Sequence, residues 1–330
     1  MGVGHDGYDG HDGYDAIADV HGHADRLELL LRAMGYVHHD GAWRHPSRQA
    51  VFVGDLVDRG PGQLEAVRIA RDMVEAGSAR IVLGNHEYNA VAYATEDPDA
   101  PGHFLRPHHG SQGPKNIRQH EAFIGAVGGL HTPQHLEVVD WFRTIPLWLD
   151  LGGLRVVHAC WHAPSMAVLE PLTGPGNTLT HDLVVASSRR GTPAYDAVEV
   201  LLKGPEVALS EEHGYHDKEG TWRRRARYRW WDPSAVTLRQ AALIPSTATG
   251  KDGKSVPRLP DHPIVDRLDP YADDVPVIVG HYWESGTPAA WDPKVACVDY
   301  SVAKGGELVA YRWSGEEVLV DENFATVGGA

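Results

Sequence analysis

The chain has 330 residues, 42% of them hydrophobic, enough for one large α/β domain with an insert or for two smaller ones. With 30 basic against 45 acidic residues its net charge is −15, which opposes broad electrostatic attachment to nucleic acid or to an anionic membrane. No run approaches the roughly 18 apolar residues of a membrane-spanning helix, and Cys160 and Cys297 are too few for a disulfide framework or a Cys-rich zinc site.

The first 14 residues hold an imperfect repeat, HDGYDG then HDGYD, expected to be a disordered tail outside the fold. This start lacks the basic and apolar regions of a signal peptide, so a cytoplasmic protein is expected. From Tyr14, YDAIADVHGHADRLELLLRAMGY has an apolar run ending at Asp19, a Gly turn, and helical spacing at Leu27, Leu30, Leu31 and Met34. The same strand–loop–helix unit returns in QAVFVGDLVDRGPG followed by QLEAVRIARDMVEAG. It returns again in ARIVLGNHEYNAVAYA. Strands joined by helices pair in parallel through right-handed crossovers, which brings the residues after each strand to one sheet edge.

Those residues are Asp19 and His21, then Asp55, Asp58 and Arg59, then Asn85, His86 and Glu87. Two later apolar runs, LRVVHACWH and VPVIVGHYW, end at His158 and His281. Oxygen and imidazole donors without thiolate suit Mn²⁺, Fe or Zn²⁺, with Mn²⁺ the first expectation, and a carboxylate can bridge two such ions. Asp55 is the bridge candidate, and Arg59 can hold a phosphate oxygen in a bidentate contact.

The ordered set ADVHGH, GDLVDRG, GNHE, VVHA and VGHY resembles the calcineurin-like metallophosphoesterases, in the branch of the phosphoprotein phosphatases and the symmetrical bis(5′-nucleosyl)-tetraphosphatases. The resemblance implies a four-layer α/β/β/α sandwich with a cap-like insert at about residues 163–275. It also implies two divalent metal ions: Asp19, His21 and Asp55 on the first, and Asp55, Asn85, His158 and His281 on the second. Arg59 would bind phosphate, and His86 would be the general acid, oriented by Asp58. The implied reaction is hydrolysis of a phosphoester or phosphoanhydride by a metal-activated water. A phosphorylated small molecule or nucleotide is the expected partner, dinucleoside polyphosphates first; a protein serine/threonine phosphatase, or an RNA or nucleotide end-processing phosphatase, is the alternative.

Two departures from the family pattern add candidates. Trp283 stands where the wider superfamily often has a second His, and ACWH replaces the usual Gly-Gly, so Trp161, His162 and Trp283 are candidate substrate contacts. Near the end, Asp299, Gly305 and Gly306 in VDYSVAKGGELVAYRW are expected to close the second sheet by a hairpin. Within the insert, TPAYDAVEVLLKGPE has the pattern of a helix. In TWRRRARYRWW, Arg223, Arg225, Arg227 and Arg229 are expected on one strand face, to meet phosphates or the protein's own carboxylates.

Overall fold

The computed structural model describes residues 11–217, 220–245 and 247–328, so most of the expected N-terminal tail lies outside the described residues. Gly13 and Tyr14 already belong to the first strand, β1 (Gly13–Ile17). Helix α1 (Ala24–Ala33) follows, burying Leu27, Leu30 and Leu31 at the spacing of one helical face. After a short hairpin of Val37–His39 with Ala42–Arg44 come β2 (Arg48–Phe52), α2 (Gln63–Glu75), β3 (Ala79–Ile81) and α3 (Asn85–Ala94). The chain then runs through α4 (Gly113–Ala126), α5 (Pro133–Arg143), β4 (Trp148–Asp150) and β5 (Arg155–Val157). Helices α6 (Ala163–Leu169), α7 (His181–Ser187) and α8 (Pro193–Lys203) precede β6 (Val277–Val279) and β7 (Val295–Cys297). The chain ends with β8 (Leu308–Trp313) and β9 (Phe324–Val327).

Two mixed sheets result. The first has the order β9-β8-β1-β2-β3, with β1, β2 and β3 parallel, as the repeated unit predicts. The second has the order β7-β6-β5-β4, parallel except for β4. Helices α1 and α2 pack on the first sheet, and the Leu201 carbonyl of α8 accepts the Ala159 amide just beyond β5. Just beyond β2 and β5 the two sheets are joined by His158 Nδ1, which donates to the Val53 carbonyl at 2.7 Å. Among the described residues no helix is long and apolar enough to cross a membrane.

The C-terminal expectation is corrected. The chain leaves β7 through Asp299, Gly305 and Gly306 but does not turn back into the second sheet. It crosses to the first, where β8 pairs antiparallel with β1, Tyr14 opposite Trp313. The two rings stack, with centroids 5.9 Å apart, so burying this pair sets the register that the turn does not.

The chain divides into two compact units: residues up to Lys203 with those from Asp274 onward, and Gly204–Asp273 between them. The smaller unit has its own core of Leu209, Tyr215, Ala226, Leu238, Ala248 and Leu259. Its arginine-rich stretch forms two short strands, Trp222–Arg223 and Arg225–Arg227, broken at Arg224. Arg223, Arg224 and Arg225 reach Asp217, Glu211 and Glu206 at 2.6, 3.4 and 3.0 Å, and Trp230 and Trp231 are buried. Pairing with the protein's own carboxylates is therefore what these three arginines do here.

Candidate metal centre

Every candidate metal ligand follows a strand of the larger unit, Asn85 at the start of α3 and the others in the segment just beyond the strand. His21, Asp55, Asp58, Arg59 and His281 all have positive φ, at 45°, 52°, 68°, 82° and 73°. Non-glycine residues hold that conformation at a cost of about 1–3 kcal/mol each, and such strain gathers where geometry serves a function. Two glycines are fixed by the same crowding. A Cβ on Gly84 would lie 2.2 Å from the Asp55 amide, and one on Gly280 would lie 2.1 Å from Asp19 Oδ1.

Two buried triads share one carboxylate: His21, Asp55 and His86 form the first, and Asp55, His158 and His281 the second. Asp55 Oδ2 lies 3.7 Å from His21 Nε2, 3.9 Å from His86 Nε2 and 3.4 Å from His158 Nε2. The imidazoles are oriented from behind. His21 Nδ1 donates to the Val57 carbonyl at 2.9 Å and His158 Nδ1 to that of Val53, which turns each Nε2 lone pair toward Asp55. Asn85 Oδ1 comes within 3.1 Å of His158 Nε2, so three electron-pair donors converge there. Asp19 is placed by the His281 amide, at 3.2 and 3.3 Å from its two oxygens.

The electrostatics favour a cation at this point. Burial, reinforced by repulsion from Asp299 and Asp55, pushes the Asp19 carboxyl well above the usual carboxylate range. Burial and the nearby His86 push His21 down to about 4, which keeps its imidazole neutral and able to ligate. Buried carboxylates that repel one another are costly unless a positive ion joins them. The donor set therefore fits divalent metal ions, with Asp55 common to both triads.

Within the first triad, His86 Nδ1 donates to Asp58 Oδ2 at 2.5 Å. Burial opposes the charge on Asp58, but His120 and His86 hold its carboxyl below the usual range. His86 in turn is raised, because Asp55 and Asp58 outweigh its burial. Arg59 is exposed at the mouth.

The three aromatic candidates diverge. Trp161 is 8% exposed, and the Arg155 guanidinium lies 4.9 Å over its ring, the arrangement of a packing residue. His162 caps α6, its Nδ1 2.8 Å from Ser165 Oγ and accepting from the Ser165 amide. Trp283 is 46% exposed, its ring centroid 6.2 Å from that of His281.

Two residues went unassigned in the sequence. Glu87 is fully buried and accepts the amides of Asp55, Leu56, Val57 and Gly84, fixing the loop that carries Asp55 to the start of α3. Its position three residues after Gly84, the N-cap of α3, is the signal that points to such a role. His120 of α4 reaches within 3.1 Å of Asp58 Oδ2, off the line of a hydrogen bond. Its signal is the spacing Asn116, His120, Phe123, one buried face of a helix on which a polar group needs a reason.

A sequence profile of the calcineurin-like phosphoesterases matches residues 15–210. Bis(5′-nucleosyl)-tetraphosphatase PrpE (asymmetrical) of Halalkalibacterium halodurans is 32% identical over 130 residues, 39% of this chain; the match spans only 47% of that protein's length. The symmetrical bis(5′-nucleosyl)-tetraphosphatase of Vibrio cholerae is 26% identical over 90% of this chain and 93% of its own. That of Janthinobacterium is 28% identical over 89% and 90%.

Proposed function

The chain belongs to the calcineurin-like phosphoesterases, and from that premise we propose that it is a dinuclear-metal phosphohydrolase acting on nucleotide-type substrates, dinucleoside polyphosphates first. The observation that carries the reading is the single carboxylate of Asp55 shared by two buried triads. Asp19, His21 and Asp55 would hold one ion, and Asp55, Asn85, His158 and His281 the other. The oxygen and imidazole donors suit Mn²⁺, Fe or Zn²⁺, and Mn²⁺ is the first candidate. Such a pair supplies Lewis acidity toward phosphate oxygens and lowers the pKa of a coordinated water.

The protein's own groups supply the rest. Arg59, exposed beside the triads, neutralises and orients a phosphate through its forked donors. Asp58 fixes His86 through Nδ1, leaving Nε2 to face Asp55, so His86 can deliver a proton from Nε2 to the departing oxygen. The preference for nucleotides is supported by the names of the two relatives that match about nine-tenths of the chain.

The test is kcat/KM on metal-loaded protein for dinucleoside polyphosphates, mononucleotides, phosphopeptides and oligonucleotides with terminal phosphates. The highest value is expected for the first. A phosphopeptide preference would replace this substrate assignment with that of a protein phosphatase.

A further inference from the structure

Trp283 and Lys304 form a feature that the metal centre does not need. The segment after His281 and the turn after Asp299 are both strained, with positive φ at His281 (73°), Trp283 (55°) and Ser301 (63°). Asp299 locks them together. Its buried carboxylate accepts the Trp283 amide at 3.0 Å and the Ser301 amide at 2.9 Å, and its carbonyl accepts the Glu284 amide at 2.8 Å. Ser301 Oγ also donates to the Glu284 carbonyl at 3.2 Å.

This lock holds an exposed indole, and it brings the exposed Lys304 ammonium 3.8 Å from the ring centroid. An aromatic face and a mobile point charge, side by side and next to a metal-ligand histidine, match a planar base joined to phosphate.

We propose that Trp283 and Lys304 are a nucleotide subsite, which takes the part of the substrate beyond the phosphate under attack. Lys304 leaves the ring to pair with a distal phosphate, and the indole stacks the base. An exposed cation–π contact is weak enough to be exchanged in this way. The inference rests on the proposed function and names the residues that make it selective for nucleoside polyphosphates.

The experiment follows hydrolysis of p-nitrophenyl phosphate by the metal-loaded protein, with ADP, AMP and inorganic phosphate as competitive inhibitors. The wild type should bind ADP more tightly than phosphate. In Lys304→Met the ratio of the ADP to the phosphate inhibition constant should rise about fivefold or more, with the AMP ratio changing less; in Trp283→Leu both nucleotide ratios should rise. An ADP ratio within about twofold of wild type in Lys304→Met overturns the proposal, as does a wild type that binds phosphate as tightly as ADP. Parallel shifts for all three inhibitors also overturn it, since they would mean that these residues only support the metal centre. Trp283→Leu can fail to fold, and Lys304→Met, on the surface, then decides alone. The two readings fail separately: Lys304-dependent ADP binding without cleavage of diadenosine tetraphosphate keeps the subsite and refutes the substrate. Cleavage with unmoved ratios does the reverse.

Discussion

Asp55 Oδ2 faces three imidazoles between 3.4 and 3.9 Å away, so its charge serves both triads at once. Asp55→Asn should therefore lose both metals, while His21→Ala should chiefly weaken one; metal content per purified chain measures this, and two tightly held ions in Asp55→Asn would refute the bridge. His86 is the proposed general acid. His86→Ala should lower kcat about 10²- to 10⁴-fold for alkyl phosphates and far less for aryl phosphates whose leaving groups need no proton. Equal losses along a leaving-group series would exclude His86 as the acid. The pH dependence carries a sign. Asp55 and Asp58 raise the His86 pKa above its ordinary value, and a general acid is active below its pKa, so activity on alkyl esters should fall as pH rises through that raised value. Asp58→Asn removes one of the two charges and should move this alkaline limb to lower pH. An unmoved limb would assign it to another group.

At the scale of elements, the segment between α3 and α4 is fastened at one point to the end of α7. The Arg189 guanidinium donates to both oxygens of Asp97, at 2.7 and 2.5 Å, and to Asp99 at 2.8 Å. The Arg189 hydrogen bonds pull the Asp97 carboxyl from 3.8 to about 2. Because the folded value lies below the unfolded one, this stabilisation is present above the ordinary carboxylate pKa and disappears as pH falls through about 2. Arg189→Met should cost about 1 kcal/mol at neutral pH, the screened value for a partly exposed bidentate pair. The Tm gap between wild type and variant should shrink from pH 7 toward pH 2; the same gap at both would remove the ion pair as its cause. Elements also differ in how openly the sequence declares them. Helices α2 and α8 begin and end where apolar spacing, Pro193, Gly77 and Gly204 place them, because each signal is local. The pairing partner of β8 is not local, and the Gly305–Gly306 turn did not announce it.

Across the whole molecule, Asp15 ties the two ends of the chain together. It is fully buried on β1 and accepts Arg48 Nε of β2 at 2.8 Å, Arg312 Nε of β8 at 3.1 Å and Tyr36 OH at 3.0 Å. Asp15→Ala would leave two guanidinium groups without their common anion and should cost about 3–5 kcal/mol in urea unfolding, the scale of breaking a buried pair. A loss below about 1 kcal/mol would show that solvent replaces the carboxylate. The arrangement also shows why the crossover of β8 matters. Without β8 beside β1, the Arg312 contact that closes this cluster could not form.

The sequence by itself determined that Asp19, His21, Asp55, Asn85 and His86 share one edge, because the strands before them are parallel neighbours; that His158 and His281, which follow strands of the second sheet, join them was decided by the tertiary structure. The tertiary structure alone decided how those groups divide. Asp19, Asp55 and Asp299 lie far apart in the chain, and their mutual repulsion in a buried space is a property of distance, not of order. The same holds for Glu87, whose four amide donors come from two segments, and for His120, which meets Asp58 from a helix outside the motifs. Trp161 and Trp283 make the limit plainest. Both follow a histidine of the candidate metal centre by two or three residues, yet Arg155 lies over the buried ring of one and Lys304 over the exposed ring of the other. Burial is settled by neighbours that arrive from elsewhere in the chain, and no window of sequence around a tryptophan contains them.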